Sequence, residues 1–152
     1  MNIVLHEPEI PVNTGNIGRT CVATGVSLHL IRPLGFFIDD KTLKRAGMDY
    51  WHLLDVHIYD SFNDFVISNK KPRIYMVETT AEKLYTEVNY KPDDFIMFGK
   101  ESAGIPANLL AEYHETTIRI PMRPDTRSLN LANSAAIVLF EALRQNSFAY
   151  LV

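Results

Sequence analysis

Three stretches of this 152-residue chain carry more hydrogen-bonding and charged groups than local structure alone requires. The first is Asn13-Thr14-Gly15-Asn16-Ile17-Gly18-Arg19-Thr20. Asn13 is a good N-cap, and on the helix it opens, Asn13, Asn16, Arg19 and Thr20 fall on one face at spacings of three and four. That stripe ends in a planar cation suited to a phosphate or a sugar edge, and Gly15 and Gly18 beside it let a ligand or another backbone approach closely. The second is Phe98-Gly99-Lys100-Glu101-Ser102-Ala103-Gly104-Ile105-Pro106. A glycine at the carboxyl end of a buried strand, followed by an acid, is where an open α/β sheet receives a ligand. The third runs from Ile120-Pro121-Met122 to Ser134-Ala135-Ala136. Ser128, Asn130, Asn133 and Ser134 crowd a helix start where capping uses one or two, and the surplus suits a ligand at the free backbone N–H groups.

Each stretch also has a plainer reading: a capped solvent-facing helix, a Gly-rich strand-to-helix loop, and a well-capped helix start. A basic cluster at Lys41, Lys44 and Arg45 is read either as complementing a helix dipole opened by Asp39 and Asp40 or as an RNA contact. Some chemistries are excluded. Gly99 stands three residues before Ser102, one too many for a Gly-x-Ser-x-Gly hydrolase elbow, and the chain contains neither a dinucleotide fingerprint nor a P-loop. Its five histidines show no metal-ligand spacing.

The elements that must position these stretches alternate. Ile3-Val4-Leu5, Ile74-Tyr75-Met76-Val77 and Phe95-Ile96-Met97-Phe98 read as strands buried on both faces of a parallel sheet. Leu28-His29-Leu30-Ile31, Val56-His57-Ile58-Tyr59 and Ile118-Arg119-Ile120 are weaker examples. Helices are expected over 13–24, 40–45, 61–68, 106–113 and 130–145, giving a single doubly wound α/β domain over 1–152. The last helix has two apolar faces. Leu131, Ala135, Val138, Leu139 and Ala142 make one, and Ile137, Phe140 and Leu143 cover neighbouring angles, which fits either a second subunit or a helix enclosed within one domain.

Composition sets bounds. No apolar run approaches a membrane span, the start lacks the features of a secretion signal, and a lone cysteine forms no internal disulfide, so a cytoplasmic protein is expected. The net charge of −3 counts against a dedicated nucleic-acid binder unless a local cluster supplies positive surface and a dimer doubles it.

As a set, the three stretches resemble the three signature motifs of the SPOUT RNA methyltransferases, in the same order and with the same separations. The resemblance extends over almost the whole chain, including Arg45-Ala46-Gly47-Met48-Asp49-Tyr50. It implies a mostly parallel sheet flanked by helices with a C-terminal deep trefoil knot, here over roughly 74–148, and a bent S-adenosyl-L-methionine held where the knot gathers the loops. By position Val77, Thr79, Gly99, Glu101, Ile120, Met122, Ser128 and Leu129 would hold that cofactor. Arg19, Ser128 and Asn130 would be catalytic, with Asn13, Asn16, Arg19, Lys41, Lys44 and Arg45 as RNA contacts. The resemblance further implies a homodimer with an active site completed across the interface, no metal, and 2'-O-methylation of a tRNA ribose. Coverage without an added RNA-binding domain points to the minimal subfamily acting on the wobble nucleotide, C34 or U34, of leucine tRNAs. Alternatives are another tRNA position, rRNA, or a non-catalytic RNA-binding protein of the same fold.

Overall fold

In a computed structural model describing residues 1–37, 50–149 and 151–152, the short apolar runs become strands of one sheet. They are β1 (Asn2–His6), β2 (Ser27–Ile31), β3 (Val56–Tyr59), β4 (Ile74–Val77), β5 (Lys83–Leu84), β6 (Phe95–Phe98) and β7 (Thr117–Arg119). Their order is β3-β2-β1-β6-β4-β7-β5, and each pairing is parallel. The β5 strand is an addition to the sequence reading. Two residues are too few to show an alternating or apolar pattern.

Among the described residues four α-helices cover the two faces: α1 (Pro11–Thr24), α2 (Phe62–Ser68), α3 (Ala107–Glu112) and α4 (Leu131–Gln145). Because side chains alternate along a strand, Ile3 and Leu5 face one layer and Val4 the other. Ile3, Leu5, Leu28, Leu30, Ile96 and Phe98 pack with Ile17 and Cys21 of α1 and with Ala135, Val138, Leu139 and Ala142 of α4. On the other face Val4, Ile74, Met76 and Met97 pack with Phe65 of α2 and Leu109 of α3. The inner stripe of α4 is the one read from its sequence. Leu143, read with the second face, is instead buried in the core, while Ile137 and Phe140 on the outer side are 37% and 47% exposed among the described residues. The 40–45 helix, with Lys41, Lys44 and Arg45, lies outside the described residues.

Helix boundaries follow local chemistry. Ser61 caps α2 by accepting the Asp64 N–H at 3.1 Å, and Gly25, with φ of 67°, ends α1 in the left-handed conformation glycine favours. No helix of the described residues is long and apolar enough to cross a membrane.

The register decides where a site can form. Phe98 is flanked by Leu5 and Val77, and Val77 pairs in turn with Ile118. The chain therefore leaves β1, β6, β4 and β7 side by side at one edge of the sheet. Chain order reverses there, at the crevice where open α/β sheets bind ligands.

Candidate functional site

The loop after β6 turns back on itself so tightly that Gly99 has no room for a side chain. A Cβ at Gly99 would lie 2.0 Å from the Gly104 carbonyl carbon and 2.3 Å from Ile105 N. Gly104 has φ of +69°, and a Cβ there would sit 2.4 Å from Glu78 Oε2. The Gly104 N–H closes the turn by donating to the Lys100 carbonyl at 2.8 Å. Glu78, the first residue after β4, holds the turn to its own strand end. Its carboxylate accepts from Ile105 N at 3.2 Å and from the Thr79 N–H and hydroxyl at 2.7 and 3.1 Å.

A second clasp joins this loop to the start of α1. Glu101 accepts from Glu9 N at 2.8 Å, Ile10 N at 3.3 Å and Asn13 Nδ2 at 2.9 Å. Glu9 returns the arrangement, accepting from both N–H and hydroxyl of Ser102 at 2.8 Å. Those Ser102 bonds hold the Glu9 carboxyl below its usual pKa. Beside them Lys100 donates to Glu7 at 3.0 Å.

Asn13 therefore is not the N-cap expected from sequence. The helix begins two residues earlier, at Pro11, whose fixed φ and missing N–H suit the first helical position, and Glu101 serves the preceding N–H groups from outside. Asn13 is buried, and its Oδ1 accepts from Asn130 Nδ2 at 3.0 Å. Asn130 in turn caps α4, accepting from Ala132 N at 2.9 Å and Asn133 N at 3.3 Å. One hydrogen-bonded chain, Glu101 to Asn13 to Asn130, thus joins the three sequence stretches.

Against the second and third of these stretches lies a cavity of about 370 Å³ lined by Val77, Glu78 and Thr79 after β4, by residues 98–104, and by Ile120, Met122, Ser128, Leu129, Leu131 and Ser134. All eight residues expected to hold a cofactor line it. Its size falls in the roughly 300–1,000 Å³ range of small-molecule sites. Apolar Val77, Phe98, Ile120 and Leu131 beside the hydroxyls of Thr79, Ser128 and Ser134 make a lining suited to a nucleoside-like ligand.

Four expected site residues among those described do not line the cavity, and Asn130, expected to be catalytic, is one of them, held at the α4 cap. Asn13 is buried between Glu101 and Asn130. Asn16 and Arg19 are exposed on α1, away from the cavity lining, and the Arg19 guanidinium lies 4.9 Å from the centre of the Tyr50 ring. The room at Gly18 admits the chain's own side chains, since a Cβ there would meet Leu54 at 3.2 Å and Tyr50 at 3.7 Å. The residue that sequence reasoning missed is Glu78. Its signal was its place directly after a buried parallel strand, between two residues that were named.

Residues 1–140 match the SpoU rRNA Methylase family. The chain belongs to this family. Among SpoU methylase relatives, the tRNA (cytidine(34)-2'-O)-methyltransferase of Escherichia coli strain K12 is 46% identical over 146 residues, 95% of this chain and 93% of that protein. A solved structure described as giving insights into the 2-OH methylation of C/U34 on tRNA superposes with a TM-score of 0.90 at 41% identity, covering 96% of this chain and 95% of that one. The AdoMet-bound rRNA methyltransferase from Sinorhizobium meliloti superposes with a TM-score of 0.79 at 26% identity, over 94% of this chain and 55% of that one.

Proposed function

We propose that this protein is an S-adenosyl-L-methionine-dependent methyltransferase that modifies the 2'-hydroxyl of the wobble nucleotide, C34 or U34, of tRNA, leucine isoacceptors among its substrates. The observation that carries the reading is the convergence of three segments, 77–79, 98–104 and 120–134, on one cavity at the carboxyl ends of β4, β6 and β7. The near full-length E. coli relative, named for position 34, supplies the substrate.

The residues present fit such a cofactor. Gly99 and Gly104 bring backbone to the cavity wall where any side chain would collide, and Leu129 and Leu131 offer apolar surface beside the Ser128 hydroxyl. When bound, S-adenosyl-L-methionine supplies a methyl group activated by a positively charged sulfur. The chain's own share of the work is mainly positioning. Ser128, exposed at the cavity, orients the ribose or the cofactor. Asn130, whose amide is engaged at both ends, acts as a positioning residue that fixes the α4 start against α1. A guanidinium offers donors and no acceptor, so the role of Arg19 is to anchor a phosphate and steady the developing alkoxide rather than to accept the proton. Substrate phosphate or water takes the proton.

Arg19 lies outside the cavity of its own chain, so the reading includes a homodimer in which a partner completes the site. The uncovered Ile137 and Phe140 on α4 support that assembly. It also includes a trefoil knot over roughly 74–148. A knotted chain pulled from both ends should stop short of its contour length of about 3.3–3.6 Å per residue. A cytoplasmic location is in keeping with the lone cysteine, whose thiol is buried. Lys41, Lys44 and Arg45 are proposed as further RNA contacts.

Purified protein should transfer methyl groups from S-adenosyl-L-methionine to leucine tRNA transcripts and leave transcripts with a 2'-deoxyribose at position 34 unmodified. Equal labelling of the deoxy transcript, or labelling of rRNA alone, would move the reaction to another site. The second outcome would favour the rRNA reading that the family's description suggests.

A further inference from the structure

The charged groups around the cavity are not equally compensated. Lys100 is paired with Glu7 at 3.0 Å. Glu101 is bonded to N–H groups at the start of α1, the end of a helix that carries partial positive charge. Glu78 has neither kind of partner. Its oxygens accept from two backbone N–H groups and one hydroxyl, and among the described residues no lysine or arginine forms an ion pair with it. These neighbours donate hydrogen bonds to the carboxylate but bring no formal positive charge to it. Its place is built in, because the carboxylate fills the space that a side chain at Gly104 would need.

From this, and resting on the methyl-donor reading above, we infer that Glu78 makes the cavity prefer the cationic methyl donor over its neutral demethylated product. S-adenosyl-L-methionine and S-adenosyl-L-homocysteine share their nucleoside and amino-acid parts, so contacts to those parts act on both alike. They differ by the methyl group and by one positive charge on sulfur, which becomes a neutral thioether on transfer. A fixed carboxylate in the wall stabilises the first relative to the second, by an amount that falls with distance and with salt. Glu78 thereby lowers product inhibition as well as buttressing the 99–105 loop.

The test is calorimetric titration of the full chain with S-adenosyl-L-methionine and, separately, S-adenosyl-L-homocysteine, in the wild type and in Glu78→Gln and Glu78→Asp. Glutamine keeps the shape, removes the charge and keeps one of the two acceptor oxygens, so any loss from the loop contact falls on both ligands alike and the donor-to-product ratio reads the charge. It should weaken donor binding about 5- to 20-fold, as expected for a unit charge several ångströms away at intermediate dielectric, while product binding changes less than about twofold. Glu78→Asp retains the charge and should retain the donor-to-product ratio even where both affinities fall, and added salt should narrow the wild-type ratio. Equal weakening of both ligands in Glu78→Gln makes the residue a buttress alone and overturns the inference, as do unchanged affinities. Wild-type protein that binds neither compound overturns the methyl-donor reading itself.

Discussion

Asn13 and Asn130 lie 117 residues apart and share a 3.0 Å hydrogen bond between their side-chain amides. The bond joins the first turn of α1 to the cap of α4, and Asn13 passes the connection on to Glu101. Asn130→Ala removes a cap, worth about 1 kcal/mol, and leaves the buried Asn13 oxygen without a donor, at about 1–3 kcal/mol. Denaturant unfolding should show the sum of these losses. With Asn13→Ala the two changes should be less than additive, with a coupling of about 0.5–3 kcal/mol. Strict additivity would mean that the pair does not act as a unit.

Two glycine substitutions separate backbone strain from the cavity. Gly99→Ala drives a methyl group into the Gly104 backbone, so it should cost about 1–3 kcal/mol through overpacking and sharply weaken binding of S-adenosyl-L-homocysteine. Gly25→Ala is strained by its φ of +67° but meets nothing within 4 Å. It should cost about 1 kcal/mol with ligand affinity intact. Thermal shift and calorimetry on both variants check the contrast.

Acid sensitivity should come from the sheet rather than the cavity. Burial, reinforced by the adjacent His57, pulls the His29 pKa from 6.5 to about 4. His29 stacks on His57 and bonds to the Tyr59 hydroxyl at 2.9 Å. The unfolded chain takes up this proton near pH 6.5 and the folded chain only near 4, so protonation favours unfolding across that window. The His29 contribution is full above about pH 6.5, falls as the pH drops towards 4 and levels off below it, by up to about 3 kcal/mol. Burial also lowers the His6 pKa and adds to the same slope. In His29→Gln, urea unfolding measured across this window should show a flatter dependence, and an unchanged slope would exclude His29 as its source.

Arg19→Lys keeps the charge but loses the planar fork. Turnover on tRNA should drop by about tenfold or more, by analogy with other groups that stabilise a developing oxyanion, while cofactor affinity stays at the wild-type value because Arg19 does not line the cavity. Near-normal turnover would remove Arg19 from the reacting centre.

The sheet was legible because its central strands are buried on both faces, and runs such as Phe95–Phe98 advertise that directly. Lys83–Leu84 joins the edge by pairing with β7 over two residues and leaves no such mark. The cavity lining was legible from the motifs, since the register brings their strand ends into line. What the motifs did not reveal was the partnering among polar side chains. Asn13 reads as a cap from its own neighbourhood, yet its partners Glu101 and Asn130 arrive from sequence positions about 90 and 120 residues away. Glu78 was passed over for the same reason, because its value lies in Gly104 and Ile105, which become its neighbours only in the fold.

The central claim, that three distant stretches grip one ligand, is tested most directly by amide hydrogen exchange with and without S-adenosyl-L-homocysteine. Saturating ligand should slow exchange together in residues 78–79, 99–105 and 120–134 and leave β3 and α2 unchanged. Protection confined to one of those stretches, or found elsewhere on the chain, would contradict it.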